Sequence, residues 1–330
     1  MASSIYRLAF EQPIHELEER IARLDSTEPK SPELHDEIRA LRRELADTIR
    51  RIYSGLDPWE TVQVARHPDR PMFTDYLDLV FDEFVELHGD KFYGDDRALL
   101  TGFAKLDRYK VMVVGHHKGK TLKERNECFF GCAHPEGYRK AMAKMRLAAK
   151  HRLPVICMID TPGAYPGIGA EERGQAQVIA ESMLEMSRLE TPIICVVIGE
   201  GGSGGALGIG VGDRVAVLEF AYYSVISPEG CAGILWKSHD FAPDAARALK
   251  LTSRHLHKLD VVDDVVDEPL GAAHRDHNQM AARLKMYLIK TLRELVDQPT
   301  EKLLQSRYDK FRRMGQFLEP GAAAANGTPT

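Results

Sequence analysis

The chain has 330 residues, 44% of them hydrophobic, enough for one large domain or two ordinary ones around a sizeable core. Its 44 basic and 49 acidic side chains leave a formal charge of −5 with both signs interspersed, which excludes the long-range cationic field of a general nucleic-acid binder. Five cysteines, an odd number, argue against a disulfide framework and for a reducing cytoplasm. Residues 1–20 carry four glutamates where a secretory signal needs an apolar core, and no uncharged apolar stretch reaches the ~18 residues of a membrane span.

Residues 1–95 read as a helical segment. Phe10, Ile14, Leu17, Ile21 and Leu24 recur at helical spacing, and so do Leu34, Ile38, Leu41, Leu45, Ile49 and Ile52, which predicts a hairpin joined by a linker from Ser26 to Pro32. Ser31 suits the cap of the second helix and Pro32 its first position. A third helix is expected from Thr74 and Asp75 through Leu77, Val80, Phe81, Phe84 and Leu87 to a stop at Gly89. This segment reads either as a charge-laced surface bundle or as a docking surface for a partner chain.

From residue 97 the pattern changes. Leu99 to Leu106 and Val111 to Val114 look like two strands joined by a turn at Asp107 to Tyr109, after which strands and helices alternate. Pro135 to His151 and Glu171 to Leu189 are predicted helices. Pro154 to Ile159 and Pro192 to Ile198 are predicted strands, continuously apolar as a sheet covered on both faces requires. Shorter strands are expected at Val215 to Leu218, Tyr222 to Ile226 and Val261 to Val266, then helices at Met280 to Leu295 and Glu301 to Phe317. The fold class is α/β, with the main domain over residues 96–318 and a loose tail over 319–330.

Two glycine-containing loops follow buried strands. The first, Thr161-Pro-Gly-Ala-Tyr-Pro-Gly167, is stiffened by two prolines, and the second, Gly199-Glu-Gly-Gly-Ser-Gly-Gly205, exposes backbone N–H groups. In a parallel sheet, loops at the carboxyl ends of the strands converge on one crevice, so the two loops are expected to share a ligand.

Local pattern leaves that ligand open. Gly199-Glu-Gly-Gly-Ser-Gly204 fits a dinucleotide fingerprint, with Glu219 as the ribose-binding acid, although Glu200 puts a carboxylate among amides meant for pyrophosphate. Gly201 to Gly205 also fits the nucleophile elbow of serine hydrolases, with Asp263 or Asp264 and His274 available to Ser203. The plain structural reading is glycine for tight packing. Metal signals are poorer: Cys128 and Cys132 have no second thiol pair, and His116 and His117 adjoin on a strand. Lys118, Lys120, Lys123 and Arg125 fit either a phosphate contact or a solvated strand end.

Longer motifs carry a resemblance. Gly-His-His-Lys-Gly-Lys at 115–120, Pro-Glu-Gly-Tyr-Arg-Lys-Ala at 135–141, the run from Ile159 to Gln175, Gly-Glu-Gly-Gly-Ser-Gly-Gly-Ala-Leu at 199–207 and Tyr-Ser-Val-Ile-Ser-Pro-Glu-Gly-Cys-Ala at 223–232 closely resemble the α-subunit family of bacterial acetyl-CoA carboxylase carboxyltransferases. Phe10 to Ile14 and Pro269 to His274 are similar as well, so the likeness covers nearly the whole chain.

The resemblance implies a crotonase-like spiral of ββα units, acting as an α2β2 assembly with a β subunit. The implied reaction moves a carboxyl group from carboxybiotin, borne by a biotin carboxyl carrier protein, to acetyl-CoA, giving malonyl-CoA for fatty acid synthesis. ATP is consumed by the biotin carboxylase chain, and acetyl-CoA is held mainly by the β subunit. By the same likeness, the Gly204 and Gly205 amides form an oxyanion hole for the biotin ureido oxygen. Thr161, Pro162, Gly163, Ala164, Tyr165, Pro166 and Gly167, with Gly201, Gly202 and Ser203, line the biotin side, Ser203 as a bystander, and no metal is expected in this chain. A related acyl-CoA hydratase using Glu200 and Glu229 is the nearest enzymatic alternative. The chain departs from the family pattern at Cys128-Phe-Phe-Gly-Cys132, where relatives tend to have Arg-Asn-Phe-Gly-Met, and at Gly208, where alanine is common.

Overall fold

The computed structural model describes residues 6–27 and 31–315. The expected hairpin is present as α1 (Gln12–Asp25) and α2 (Pro32–Ser54), which bury Ile21, Ile38 and Leu41 between them. Ser31 caps α2 by accepting the Leu34 N–H at 3.2 Å. Part of the Ser26 to Pro32 linker lies outside the described residues.

Two short helices follow, α3 (Pro58–Ala65) and α4 (Phe73–Val80). Helix α3 opens on a capping box between Asp57 and Glu60 and had no reading in the sequence. Helix α4 corrects the expectation of a helix reaching Gly89. It ends at Val80, Phe81 turns extended, and β1 (Glu83–Glu86) begins. Strand pairing decides this. β1 runs antiparallel to β2 (Leu99–Leu106), and a Cβ at Gly102 would stand 2.4 Å from the Val85 carbonyl oxygen, so glycine admits the close approach.

β3 (Tyr109–His116) returns through a turn in which Asp107 takes φ 55°. The chain continues through α5 (Leu122–Glu127), α6 (Pro135–Lys150), β4 (Val155–Thr161), α7 (Ile168–Glu172) and α8 (Gln175–Arg188). One helix was expected across 171–189, but Gly174 at φ 81° breaks it in two. Then come β5 (Ile193–Gly202), α9 (Ser203–Leu207), β6 (Arg214–Leu218), β7 (Tyr222–Ser224), α10 (Pro228–Trp236), α11 (Ala242–Leu249), α12 (Ser253–Lys258) and β8 (Asp264–Val266). The last helices are α13 (His277–Leu295) and α14 (Thr300–Arg313). α14 stops short of Phe317, which, like the tail proposed at 319–330, lies outside the described residues.

The strands form one mixed sheet in the order β1-β2-β3-β4-β5-β6-β8, antiparallel at the β1 edge and parallel from β3 onward. β4 and β5 are buried along their whole length, as their continuous apolar runs required. On the side away from β4, β5 serves two neighbours, with Ile194 to Val197 beside β6 and Glu200 to Gly202 beside β7. The β4–β5 register slips between Ile159 and Thr161, where the functional loops begin. α14 is pinned under the sheet by Arg307, whose buried guanidinium reaches Asp213 and the carbonyls of Met186, Leu189 and Thr191.

Candidate active site

The two loops meet at the carboxyl ends of β4 and β5. A Cβ on Gly202 would lie 2.1 Å from the Pro162 carbonyl oxygen, and one on Gly205 would lie 2.4 Å from the Ala164 nitrogen. No side chain fits between these backbones, so glycine at both positions sets how closely the loops approach. Gly201 packs against the Tyr223 ring. Gly204 is open, since a Cβ there would meet nothing nearer than the Ile179 side chain at 3.7 Å. The N–H groups of Gly204 and Gly205 fall in the first turn of α9, where the helix supplies no acceptor.

The first loop is held from within. Thr161 donates its hydroxyl to the Gly131 carbonyl at 2.7 Å and accepts the Gly163 N–H at 3.1 Å. Tyr165 stacks on His134 with centroids 4.1 Å apart, Phe129 packs edge-on to both, and Gly167 leaves room for the Tyr165 ring. Pro162 and Pro166 are exposed, and Pro162 faces a cavity. Behind α9, Tyr138 donates its hydroxyl to the Gly205 carbonyl at 3.1 Å, and its ring occupies the space a Cβ on Gly208 would need. The loops expected to share a crevice therefore do adjoin, and the packing reading of the glycines holds at Gly202, Gly205 and Gly208.

A cavity of about 200 Å³ opens beside Pro162, lined by Arg66, Lys118, Arg125, Phe130, Asp160 and Glu200 among others. Lys118 Nζ lies 2.6 Å from both Asp160 Oδ1 and Glu200 Oε2. Arg66 reaches Glu200 at 2.7 Å and Glu229 at 2.5 Å, and the Tyr222 hydroxyl donates to Glu200 at 2.7 Å. Burial alone would raise the Glu200 pKa, but Lys118 and Arg66 outweigh it and hold the carboxyl at about 2. Burial likewise opposes the charge on Lys118, and the two carboxylates reverse that and raise its pKa.

The sequence had marked Lys118 only as part of a basic run, and Arg66 not at all. Arg66 sits where α3 ends, and its partner Glu200 is 134 residues away, so no local spacing announces the pair.

The alternative constellations do not assemble. Ser203 adopts φ 49°, the strained backbone of an elbow, yet His274 lies stacked on His67 at 4.0 Å. Asp263 accepts the Val215 N–H and Lys310, and Asp264 accepts the Tyr287 hydroxyl. Glu219 accepts the Glu268 N–H, and Glu200 is already ion-paired, so neither serves the dinucleotide reading. Burial raises the Cys128 thiol to about 11 and raises Cys132 as well, away from the thiolate form a metal needs. Burial and the Lys118 charge keep His116 neutral, with a pKa of about 3.

Glu11, His67 and His274 offer ligand atoms within 4.8 Å of one another. The two rings are stacked at 17°, however, so their nitrogen lone pairs run parallel instead of converging. His67 Nδ1 already accepts the Asp69 N–H.

A family model described as acetyl co-enzyme A carboxylase carboxyltransferase-like matches residues 7–315. The chain is 69% identical over 312 residues to the acetyl-coenzyme A carboxylase carboxyl transferase subunit alpha of Rhodopirellula baltica, covering 94% of this chain and 98% of that one. It is 52% identical over 317 residues to the subunit of the same name from Geobacter metallireducens, covering 96% and 100%. Among solved structures, it superposes on transcarboxylase 12S with methylmalonyl-coenzyme A bound at a TM-score of 0.53 and 21% identity, over 67% of this chain and 42% of that one. A Pseudomonas malonate decarboxylase hetero-tetramer in complex with coenzyme A gives a TM-score of 0.54 and 17% identity, over 67% and 91%. These two structures establish a common fold.

Proposed function

The chain belongs to the acetyl-CoA carboxylase carboxyltransferase family as an α-subunit member, and from that premise we propose that its two loops hold the biotin side of a carboxyl transfer to acetyl-CoA. It is a carboxyl-transferring enzyme subunit with the crotonase-like fold of that family. The observation that carries the reading is the backbone-to-backbone packing of Gly202 on Pro162 and Gly205 on Ala164.

Biotin, when present, supplies a ureido group that carries the carboxyl and whose oxygen gains charge as the carboxyl leaves. This chain contributes fixed N–H donors aimed at that charge. Both amides, of Gly204 and Gly205, stand in the first turn of α9; Gly204 has open space where a Cβ would be, so a ring can approach there closely, while Gly205 is packed against the Gly163–Ala164 backbone. Preorganised donors of this kind stabilise developing charge by about 3 kcal/mol each. Thr161 to Gly167, with Gly201 to Ser203, form the wall, and the internal hydrogen bonds of Thr161 keep that wall from yielding when ligand arrives.

The remaining assignments follow the family: a β subunit in an α2β2 assembly that holds most of the acetyl-CoA, a biotin carboxyl carrier protein, a biotin carboxylase on another chain, and the cytoplasm as the place of action. Among the described residues no helix is long and apolar enough to cross a membrane. Glu200 and Glu229 do not favour a hydratase, because both are bound to Arg66 and Glu200 stays ionised far below neutral pH.

The test is malonyl-CoA-dependent carboxylation of free biotin by the chain mixed with its β subunit. Turnover by the pair and none by either chain alone is expected. A pair that binds but does not transfer, or an isolated chain that hydrates crotonyl-CoA, would overturn the reading.

A further inference from the structure

The sheet holds the roots of the two loops to each other through a single pair, Thr161 with Gly201, beyond an interrupted ladder. β3 pairs with β4 only from Met112 to Gly115 and Val155 to Met158, and the β4–β5 ladder slips between Ile159 and Thr161. Asp160 sits in that slip, immediately before the first loop, and Glu200 stands immediately before Gly201. Backbone pairing is interrupted at Asp160, so side chains there share with the glycine contacts in setting the spacing of the loops.

One side chain spans the gap. Lys118, two residues past the end of β3, places its ammonium 2.6 Å from Asp160 Oδ1 and 2.6 Å from Glu200 Oε2. Asp160 Oδ1 also accepts the Glu200 N–H at 2.9 Å, an approach allowed because Gly199 has no Cβ to block it. Without the Lys118 cation, Asp160 would lose its ion-pair partner beside Glu200, whose remaining cation is Arg66 on the far side, and the repulsion between the two carboxylates would be less well offset. The Lys118 stem lies under Gly131, where a Cβ would be 2.8 Å from Lys118 Cγ, and the Gly131 carbonyl receives the Thr161 hydroxyl. Lys118 thus touches the support of both loops.

We propose that Lys118 is a positioning residue whose ammonium ties Asp160 to Glu200 and so, with the glycine contacts, sets the separation between the Thr161–Gly167 and Gly201–Gly205 backbones. Its catalytic consequence rests on the carboxyltransferase reading; its mechanical consequence does not.

The experiment compares Lys118→Met and Lys118→Arg, each assayed with the β subunit for carboxylation of biotin and each examined alone by amide hydrogen exchange. Lys118→Met is expected to lower kcat at least ~30-fold while KM for malonyl-CoA and biotin stays within about threefold, because substrate sites persist and alignment is lost. Exchange should accelerate about tenfold or more across 161–167 and 201–205 and stay unchanged in β3. Lys118→Arg, which keeps the charge, should recover kcat to within about tenfold of the parent.

A folded Lys118→Met with unchanged kcat and unchanged exchange in both loops would overturn the proposal, as would a folded arginine variant no better than methionine. If Lys118→Met does not fold, Asp160→Asn breaks one arm of the tie and carries the same expectations. If parent and variants alike fail to transfer carboxyl, the functional reading falls and the exchange data still decide the tie.

Discussion

Glu200 shows what a sequence discloses about a residue and what it withholds. A carboxylate inside a glycine run was legible as an anomaly. Its meaning was not, because its cations come from positions 134 and 82 residues away and only the fold brings them together. In the folded chain its pKa lies at about 2, below the ordinary 4.5, so its stabilisation is complete above pH ~4.5 and disappears as pH falls toward 2. The shift corresponds to about 3 kcal/mol. Glu200→Gln should therefore lose roughly 3–5 kcal/mol at pH 7, since it leaves Lys118 and Arg66 short of a partner. Urea unfolding should show the gap between parent and variant narrowing from pH 4.5 downward and closing toward pH 2. Ser203 makes the opposite point. Its motif was conspicuous, yet among the described residues its hydroxyl makes no hydrogen bond to a histidine and His274 is stacked on His67, so Ser203→Ala should transfer carboxyl within about threefold of the parent, and a fluorophosphonate should label neither protein.

Elements were legible wherever their own residues decided them. The Ser31–Pro32 start of α2 and the uniformly apolar β4 and β5 are set by local chemistry and appear as expected. α4 and β1 were not. Leu77, Val80, Phe81 and Phe84 keep helical spacing through the break, and only Gly102 on the neighbouring strand draws Glu83–Glu86 into the sheet. Gly102→Ala puts a Cβ 2.4 Å from the Val85 oxygen and should cost about 1–3 kcal/mol in thermal or denaturant unfolding.

The segment between α3 and α4 has its own pH dependence. Burial first, then the neighbouring His274, depress His67 from 6.5 to about 4. Its folded form is neutral, and unfolding takes up a proton below pH 6.5. Stability is thus full above that pH and is lost as pH falls from 6.5 toward 4. Between pH 7 and pH 4 the melting temperature of the parent should fall further than that of His67→Phe, because the variant has no imidazole to protonate; equal falls would contradict this.

At the scale of the molecule, the fold class follows from alternation of buried strands and helices, and the helices between 228 and 258 escaped because short, Gly- and His-rich stretches carry no clear period. The glycines are explained by the whole assembly of loops: they let two strand ends bring backbone against backbone and leave the first-turn N–H groups of α9 without a helical acceptor. The central claim is that these amides, and not a side-chain nucleophile, are what this chain supplies to carboxyl transfer. Malonyl-CoA-dependent carboxylation of biotin by the β subunit combined with either the parent chain or Gly204→Ala, whose methyl has room in the fold but covers the amide, tests it most directly. The account predicts robust transfer by the parent pair and at least a ~100-fold loss in the variant pair, with the variant still folded and still bound to the β subunit. Equal transfer by the two pairs would contradict it.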